Sequence, residues 1–188
     1  MVVKFRLIFI LLFMLPAFYM EGAGLRHHPL NRSQSYRTFK NISLPFDANQ
    51  VNAVCQDSQG LIWLGTRRGL YSYNGYDLHE YQDERHLDLN QIYAVVHVNL
   101  DREYLCLGTG RGVKWFDLTD ECIRSPYPNS EITKAVRSLA VYGGYLWIGT
   151  LDNGLKRMSL TDGEIEDSVL DEGKETTIYS LEPTDDGL

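Results

Sequence analysis

The chain has 188 residues, of which 44% are hydrophobic and 23% are charged, a composition typical of a folded globular domain with short extensions. Its 18 basic and 25 acidic residues give a net charge of -7, which argues against a surface that neutralises nucleic-acid phosphates. Three scattered cysteines are too few for a disulfide framework or a zinc site.

The first 24 residues have the order of a secretory signal peptide. Lys4 and Arg6 precede an apolar run at residues 7–15, and Pro16 and three small residues at 22–24 follow it. The run is too short for a transmembrane helix, which needs about 20 apolar residues. We therefore predict export with cleavage after residue 24, and an uncleaved amino-terminal anchor is the alternative.

Residues 25–50 form an amino-terminal segment with weak patterning. Within it, residues 36–39 are a candidate strand. His27 and His28 also lie in this segment, but a metal site would need a third ligand close to them, so no metal site is predicted.

From residue 51 onwards the sequence repeats about every forty residues. Three complete copies occupy residues 51–91, 92–135 and 136–177, and a fourth begins at residues 178–188. The Gly-Thr pairs at 65–66, 108–109 and 149–150 recur at intervals of 43 and 41 residues. A fixed period of this length identifies a repeat architecture.

Each copy divides into four short strand candidates. In the first copy they are residues 51–56, 61–65, 69–73 and 76–81, and Asn74-Gly75 is a strong signal for a hairpin turn. A four-stranded antiparallel unit that repeats at this period is typical of a β-propeller blade. We predict an all-β fold, a partial β-propeller with three complete blades and the start of a fourth.

The large aromatic residues support blade packing. Trp63 and Trp147 occupy the same position in their copies, whereas the second copy has Cys106 there. That site is expected to be looser or to be filled by Trp115 from the next strand. Propellers close with four to eight blades, so we predict a fragment of a larger ring. The strand candidate at residues 36–39 would complete its last blade.

The motif V-x-x-V-x-x-D-x-x-G-x-I-W-x-G-T-x-x-G-L at residues 51–70 resembles the two-component regulator propeller repeat. The resemblance implies a periplasmic sensor region of a hybrid two-component protein, followed by a membrane helix, a histidine kinase and a receiver. It also implies an inner-membrane anchor, a homodimer and a response to oligosaccharides. No phospho-acceptor histidine context or ATP-binding glycine box is visible, so this chain is predicted to be sensory and not enzymatic.

Two motifs invite other interpretations. Residues 108–112 resemble a glycine-rich phosphate loop, but a predicted strand follows them where a helix would be needed. Residues 57–63 resemble the Asp-box of propeller hydrolases, although two residues instead of one separate Asp57 from Gly60. A secreted propeller hydrolase or lyase therefore stays as an alternative, and so does an interaction scaffold without a small-molecule ligand.

The turn between the second and third strands of a blade lies at the same end as the link that enters the next blade. The Gly-Thr turns should therefore share one face with Asn49, Asn52 and Asn90, and binding residues concentrate on such loops. Arg, Asn, Asp and Tyr side chains suit a polar ligand such as a sugar, and no cofactor is expected. The predicted ligand-binding residues are Arg67, Arg68, Tyr93, Arg111, Arg137, Asp152 and Asn153.

Overall fold

The computed structural model describes residues 41–43, 50–81, 89, 91–167 and 176–184. The chain divides into two compact units, Met1–Asn41 and Ile42–Leu188, and the strands described below belong to the second. The predicted signal peptide, the strand candidate at residues 36–39, and Asn49 and Asn90 lie outside the described residues. Among the residues that are described, no helix is long and apolar enough to cross a membrane.

The described residues form three four-stranded antiparallel sheets, each with its strands in chain order. The first sheet contains β1 (Val51–Gln56), β2 (Ile62–Thr66), β3 (Leu70–Tyr73) and β4 (Leu78–Tyr81). The second contains β5 (Ile92–Asn99), β6 (Glu103–Thr109), β7 (Gly112–Asp117) and β8 (Cys122–Ile123). The third contains β9 (Val136–Tyr142), β10 (Tyr145–Thr150), β11 (Leu155–Ser159) and β12 (Ile165–Asp167). The predicted all-β blade architecture is confirmed.

The glycine of each Gly-Thr pair lets the next repeat approach closely. A Cβ atom on Gly65 would lie only 2.6 Å from Cγ2 of Ile92, the first residue of the next sheet. Glycine is therefore needed at this point for the Ile92 and Val95 side chains to pack against the backbone of β2. The equivalent contacts join Gly108 with Val136 and Gly149 with Ile178. Ile178 thus packs against Gly149 as Ile92 packs against Gly65 and Val136 against Gly108.

The threonine of each pair closes the turn between the second and third strands. Thr66 is 0% exposed, its Oγ1 donates to the Gly69 carbonyl at 2.9 Å, and it accepts the Arg68 N–H at 3.1 Å. Thr109 and Thr150 repeat the donation to Gly112 and Gly154. Since strand β7 starts at Gly112, residues 108–112 form such a turn and do not lead into a helix.

Tryptophan packing differs between the first two sheets. In the first sheet Trp63 pairs in register with Ser72, whereas in the second Cys106 pairs with Trp115. Trp115 is 3% exposed and contacts the Tyr104 and Tyr127 rings at centroid distances of 6.0 and 5.8 Å. The large and small residues have exchanged strands, which confirms the expectation that Trp115 fills the site.

Asp57 has a structural role in the turn between β1 and β2. Its Oδ2 accepts the Trp63 indole N–H at 2.8 Å, and its Oδ1 accepts the backbone N–H groups of Leu61 and Gln59 at 2.9 and 3.0 Å. These bonds engage both carboxylate oxygens. The Asp-box-like segment at residues 57–63 is therefore explained by turn geometry and tryptophan orientation.

Asp117 is a carboxylate whose side chain is completely buried at the end of β7. Its Oδ1 accepts the backbone N–H groups of Thr119 and Asp120 at 2.9 and 3.2 Å, and its Oδ2 pairs with the Arg102 guanidinium. Burial raises the pKa of this carboxyl, but the two N–H groups and Arg102 outweigh burial, so the pKa lies below its ordinary value of 3.8.

Asp117→Asn is expected to reduce the free energy of unfolding at pH 7 by about 1–3 kcal/mol, because it weakens charge-assisted hydrogen bonds to a buried group. The folded-state pKa is lowered, so the carboxylate stabilises the fold above the ordinary pKa of 3.8 and loses this effect as pH falls below it. Urea unfolding measured between pH 3 and 7 should show a weaker acid dependence in the variant.

The matched control for this experiment is Asp77→Asn, which changes the same functional group at an exposed turn position. It should behave as the unsubstituted protein at every pH. Equal acid sensitivity of the Asp117→Asn variant and the unsubstituted protein would show that the buried carboxylate does not contribute.

Candidate ligand-binding site

The first strand of each sheet has the same irregularity near its start. In the first sheet Val51 pairs with Thr66 and Ala53 with Gly65, so Asn52 is an extra residue, as in a β-bulge. The register shifts at the equivalent place in β5 and β9. The extra residues there are Tyr93 and Arg137. Bulges re-aim side chains and are common beside functional sites, so the three repeats each present one polar residue in the same manner.

The three extra residues line one cavity of about 270 Å³, which we call the bulge cavity. The Arg67 N–H donates to the Gln50 carbonyl at 3.3 Å, and the Gln91 N–H donates to the Arg67 carbonyl at 3.0 Å. These bonds bring the turn between β2 and β3 beside the links that enter the first two sheets, as the blade geometry predicts. The full lining is Gln50, Asn52, Arg67, Gln91, Tyr93 and Arg137.

Arg137 and Tyr93 form the best-defined part of the bulge cavity. The Arg137 guanidinium carbon lies 4.1 Å from the centroid of the Tyr93 ring, a cation–π contact that holds both planes. The Tyr93 hydroxyl donates to Gln91 Oε1 at 3.2 Å. Arg137 Nε is buried and has no hydrogen-bond partner in the described part of the chain. A ligand acceptor is the group that would satisfy this donor.

Backbone strain occurs at the same place. Gln91 has a φ of 61°, in the left-handed region that residues other than glycine rarely adopt. Such a conformation persists only where the surrounding structure holds it, and it is concentrated at binding sites and active sites. Two hydrogen bonds hold Gln91, one from its own N–H to the Arg67 carbonyl and one from Tyr93 to its side chain.

Charge distinguishes the bulge cavity from the rest of the molecule. Two arginines line it, whereas none of its described lining residues carries a carboxyl group. The chain as a whole has a net charge of -7. The two arginines therefore place positive formal charge at this cavity in a chain that is acidic overall.

The structure brings together three of the seven residues predicted to contact a ligand. These are Arg67, Tyr93 and Arg137, together with Asn52 of the predicted face. The other four lie in the turns between second and third strands, outside the cavity lining. They are Arg68, Arg111, Asp152 and Asn153, all exposed. Sequence reasoning missed Gln50 and Gln91, although each of them directly precedes the first residue of its repeat.

A second cavity of about 280 Å³ lies between the outer strands β4 and β8. Its lining includes Tyr81, whose hydroxyl donates to Glu121 at 3.4 Å and whose ring contacts His79 at a centroid distance of 4.6 Å. Burial raises the pKa of Tyr81, which keeps its hydroxyl protonated. Glu121 already accepts from Tyr81 and Glu80 from Tyr71, so this second cavity is a weaker candidate. No cluster of three or more metal-ligating side chains occurs among the residues described.

Comparison with known proteins identifies the repeat. Residues 45–68 match the family model described as the two component regulator propeller. Two solved structures of the extracellular domain of BT4673 from B. thetaiotaomicron are 33% identical to this chain, with TM-scores of 0.67 and 0.68. Each match covers 81% of this chain and 20% of that domain, so the chain spans about a fifth of its length.

The BT4673 domain is described as part of a one component system in one structure and of a hybrid two component system in the other. The extracellular domain of the hybrid two component system BT3049 from the same organism is 18% identical, with a TM-score of 0.55. That match covers 68% of this chain and 20% of that domain and shows similarity of fold. Comparison with curated proteins finds no match.

Proposed function

This chain carries the two-component regulator propeller repeat, and on that premise we propose that its blades belong to the extracytoplasmic sensor region of a hybrid two-component signalling protein. The 33% identity to the extracellular domain of such a system, over 81% of this chain, supports the proposal. Export, an inner-membrane anchor, a homodimer and a downstream histidine kinase are parts of the proposal. The blades themselves would bind a ligand and catalyse no reaction.

The observation that carries a binding role is the convergence of three equivalent bulge residues on one cavity. Asn52, Tyr93 and Arg137 come from three different repeats, yet they line the same space of about 270 Å³. The amide groups of Asn52, Gln50 and Gln91 suit sugar hydroxyls, because an amide both donates and accepts hydrogen bonds. A polar sugar oligomer is therefore the ligand class that we propose.

Signalling would follow from a difference in affinity. A ligand shifts the balance between two arrangements of the sensor only if it binds one of them more tightly. The bulge cavity lies where turns and links of successive repeats are joined by backbone hydrogen bonds, including Arg67 with Gln50 and Gln91 with Arg67. Ligand contacts there would favour one relative position of neighbouring blades.

The test is a panel of oligosaccharides titrated into the intact protein by calorimetry, with a transcriptional reporter in cells as a second measurement. Tyr93→Ala should weaken binding of the active oligosaccharide about tenfold or more, because it removes an aromatic face and the support of Arg137. Reporter induction should shift to correspondingly higher ligand concentration. Tyr76→Ala is the matched control, since Tyr76 is 86% exposed and does not line the cavity.

Other outcomes would replace the proposal. Cleavage of an oligosaccharide by the purified protein would support a secreted hydrolase or lyase. Absence of both binding and induction across the panel would support an interaction scaffold. Binding that is insensitive to Tyr93→Ala would move the ligand site away from the bulge cavity.

A further inference from the structure

We propose that the bulge cavity binds an acidic sugar and that Arg137 and Arg67 recognise its carboxylate. This inference rests on the proposed sensor function and specifies the ligand class. The two guanidinium groups come from different repeats, Arg67 from the turn after β2 and Arg137 from the start of β9. Both residues line one cavity, so their guanidinium groups could contact one ligand together.

Three other arginines differ from these two in that each pairs with a carboxylate. Arg102 and Arg124 pair with Asp120, and Arg157 pairs with Glu166. Within the described residues, neither Arg67 nor Arg137 forms an ion pair with a carboxylate. Two arginines at one cavity that have no carboxylate partner among the described residues leave a place for an external anion.

The geometry of Arg137 prepares it for this role. Stacking on the Tyr93 ring at 4.1 Å fixes the guanidinium plane. The Arg137 Nε atom is buried and has no hydrogen-bond partner among the described groups. A planar guanidinium presents its donors as a fork that matches a carboxylate with two parallel hydrogen bonds. A single hydroxyl oxygen cannot accept two parallel hydrogen bonds from the fork and would leave the charge unneutralised. A carboxylate therefore satisfies this group better than a neutral sugar does.

The neutral lining residues complete the recognition of a sugar. Asn52 Nδ2 already donates to the Ile92 carbonyl at 2.8 Å, so its side-chain oxygen is held in place as an acceptor. The Gln91 oxygen accepts from Tyr93, which leaves its amide N–H₂ group as a donor. The hydroxyl groups of a sugar ring could donate to the Asn52 oxygen and accept from the Gln91 amide. A carboxylate on the same ring could accept from the Arg67 and Arg137 guanidinium groups.

The test compares two monosaccharides that differ only at C6, D-galacturonate with a carboxylate and D-galactose with a hydroxymethyl group. Each is titrated into the intact protein at constant ionic strength and followed by ligand-observed NMR. We expect galacturonate to bind with a Kd at least tenfold below that of galactose, and to weaken as salt is added. Arg137→Gln and Arg67→Gln should each reduce this preference severalfold.

Lys134→Gln is the matched control, because it removes the same charge from an exposed position that does not line the cavity. It should keep the full preference for galacturonate. Thermal unfolding of each variant separates a loss of binding from a loss of fold, and the salt dependence of the unsubstituted protein provides a readout that needs no variant.

Three results would overturn the inference. Galactose could bind as tightly as galacturonate, or neither sugar could saturate the protein at concentrations up to about 100 mM, well above the Kd of a weak site. The third result is an unchanged preference for galacturonate in both arginine variants. These results would leave the proposed sensor function in place if a neutral oligosaccharide from the panel still binds in a manner that depends on Tyr93. Failure of that panel as well would remove both proposals.

Discussion

Gly112→Ala is expected to prevent stable folding of the second blade. A Cβ atom at this position would lie 1.6 Å from the backbone oxygen of Ile132, far inside any permitted contact. Ile132 cannot simply move away, because its carbonyl accepts the Val113 N–H at 3.0 Å. The φ of 103° at Gly112 adds strain for any residue with a side chain.

The expected loss in the free energy of unfolding is about 4 kcal/mol or more, a large share of the 5–15 kcal/mol that typically stabilises a domain. Urea unfolding followed by circular dichroism measures it, and limited proteolysis of residues 112–132 reports local opening if the variant is too unstable for a full curve. A variant as stable as the unsubstituted protein would mean that the contact between β7 and Ile132 is not formed.

Gly75→Ala provides the matched control for the steric component. Gly75 has nearly the same backbone conformation, with a φ of 97°, but a Cβ atom there would meet nothing within 4 Å. Only the backbone strain applies, so the expected loss is about 1–2 kcal/mol. Equal losses for Gly75→Ala and Gly112→Ala would refute the steric explanation.

Trp115→Ala is expected to reduce the free energy of unfolding by about 3–5 kcal/mol, the usual cost of removing a large buried aromatic residue. Trp115 is 3% exposed, and its ring contacts those of Tyr104 and Tyr127. Its partner in register, Cys106, is too small to fill the space. Trp147→Ala is the comparison, and its loss should be smaller because Trp147 is only partly buried.

The exchange of large and small residues suggests a sharper experiment. Cys106→Trp combined with Trp115→Ser copies the Trp63 and Ser72 arrangement of the first sheet. The double variant should recover part of the stability that Trp115→Ser loses, whereas Cys106→Trp alone should destabilise by overpacking. Strictly additive effects of the two substitutions, measured by urea unfolding, would show that the two positions do not share one packing site.

The repeated turn and the bulge together explain how these blades form a site. Thr66 closes the turn after β2, which holds the Arg67 backbone between Gln50 and Gln91. Gly65 lets β5 approach, and Tyr93 lies near the start of that strand, one residue beyond the contact at Ile92. The Gly and Thr residues that define the repeat thus also position the residues that line the cavity.

The blade pattern was predictable from the sequence because it depends on local signals. Gly and Thr recur at nearly constant intervals, and each pair performs the same backbone task wherever it occurs, as Thr66 and Thr109 show. The order of strands and their antiparallel pairing follow from that period. The sequence also indicated that Trp115 could fill the space left by Cys106, which stands in the second repeat where the first has Trp63.

Tertiary structure decided which of the predicted residues line the cavity and added Gln50 and Gln91 to them. Which residue of a strand becomes the bulge depends on how two strands pair, and no residue type marks Asn52, Tyr93 and Arg137 as equivalent. Whether an exposed turn residue reaches the cavity depends on its place in the turn: Arg67, directly after Thr66, lines the cavity, whereas Arg68 and its equivalent Arg111 do not. The period in the sequence thus determined the repeating unit, whereas strand register and contact between units determined the site.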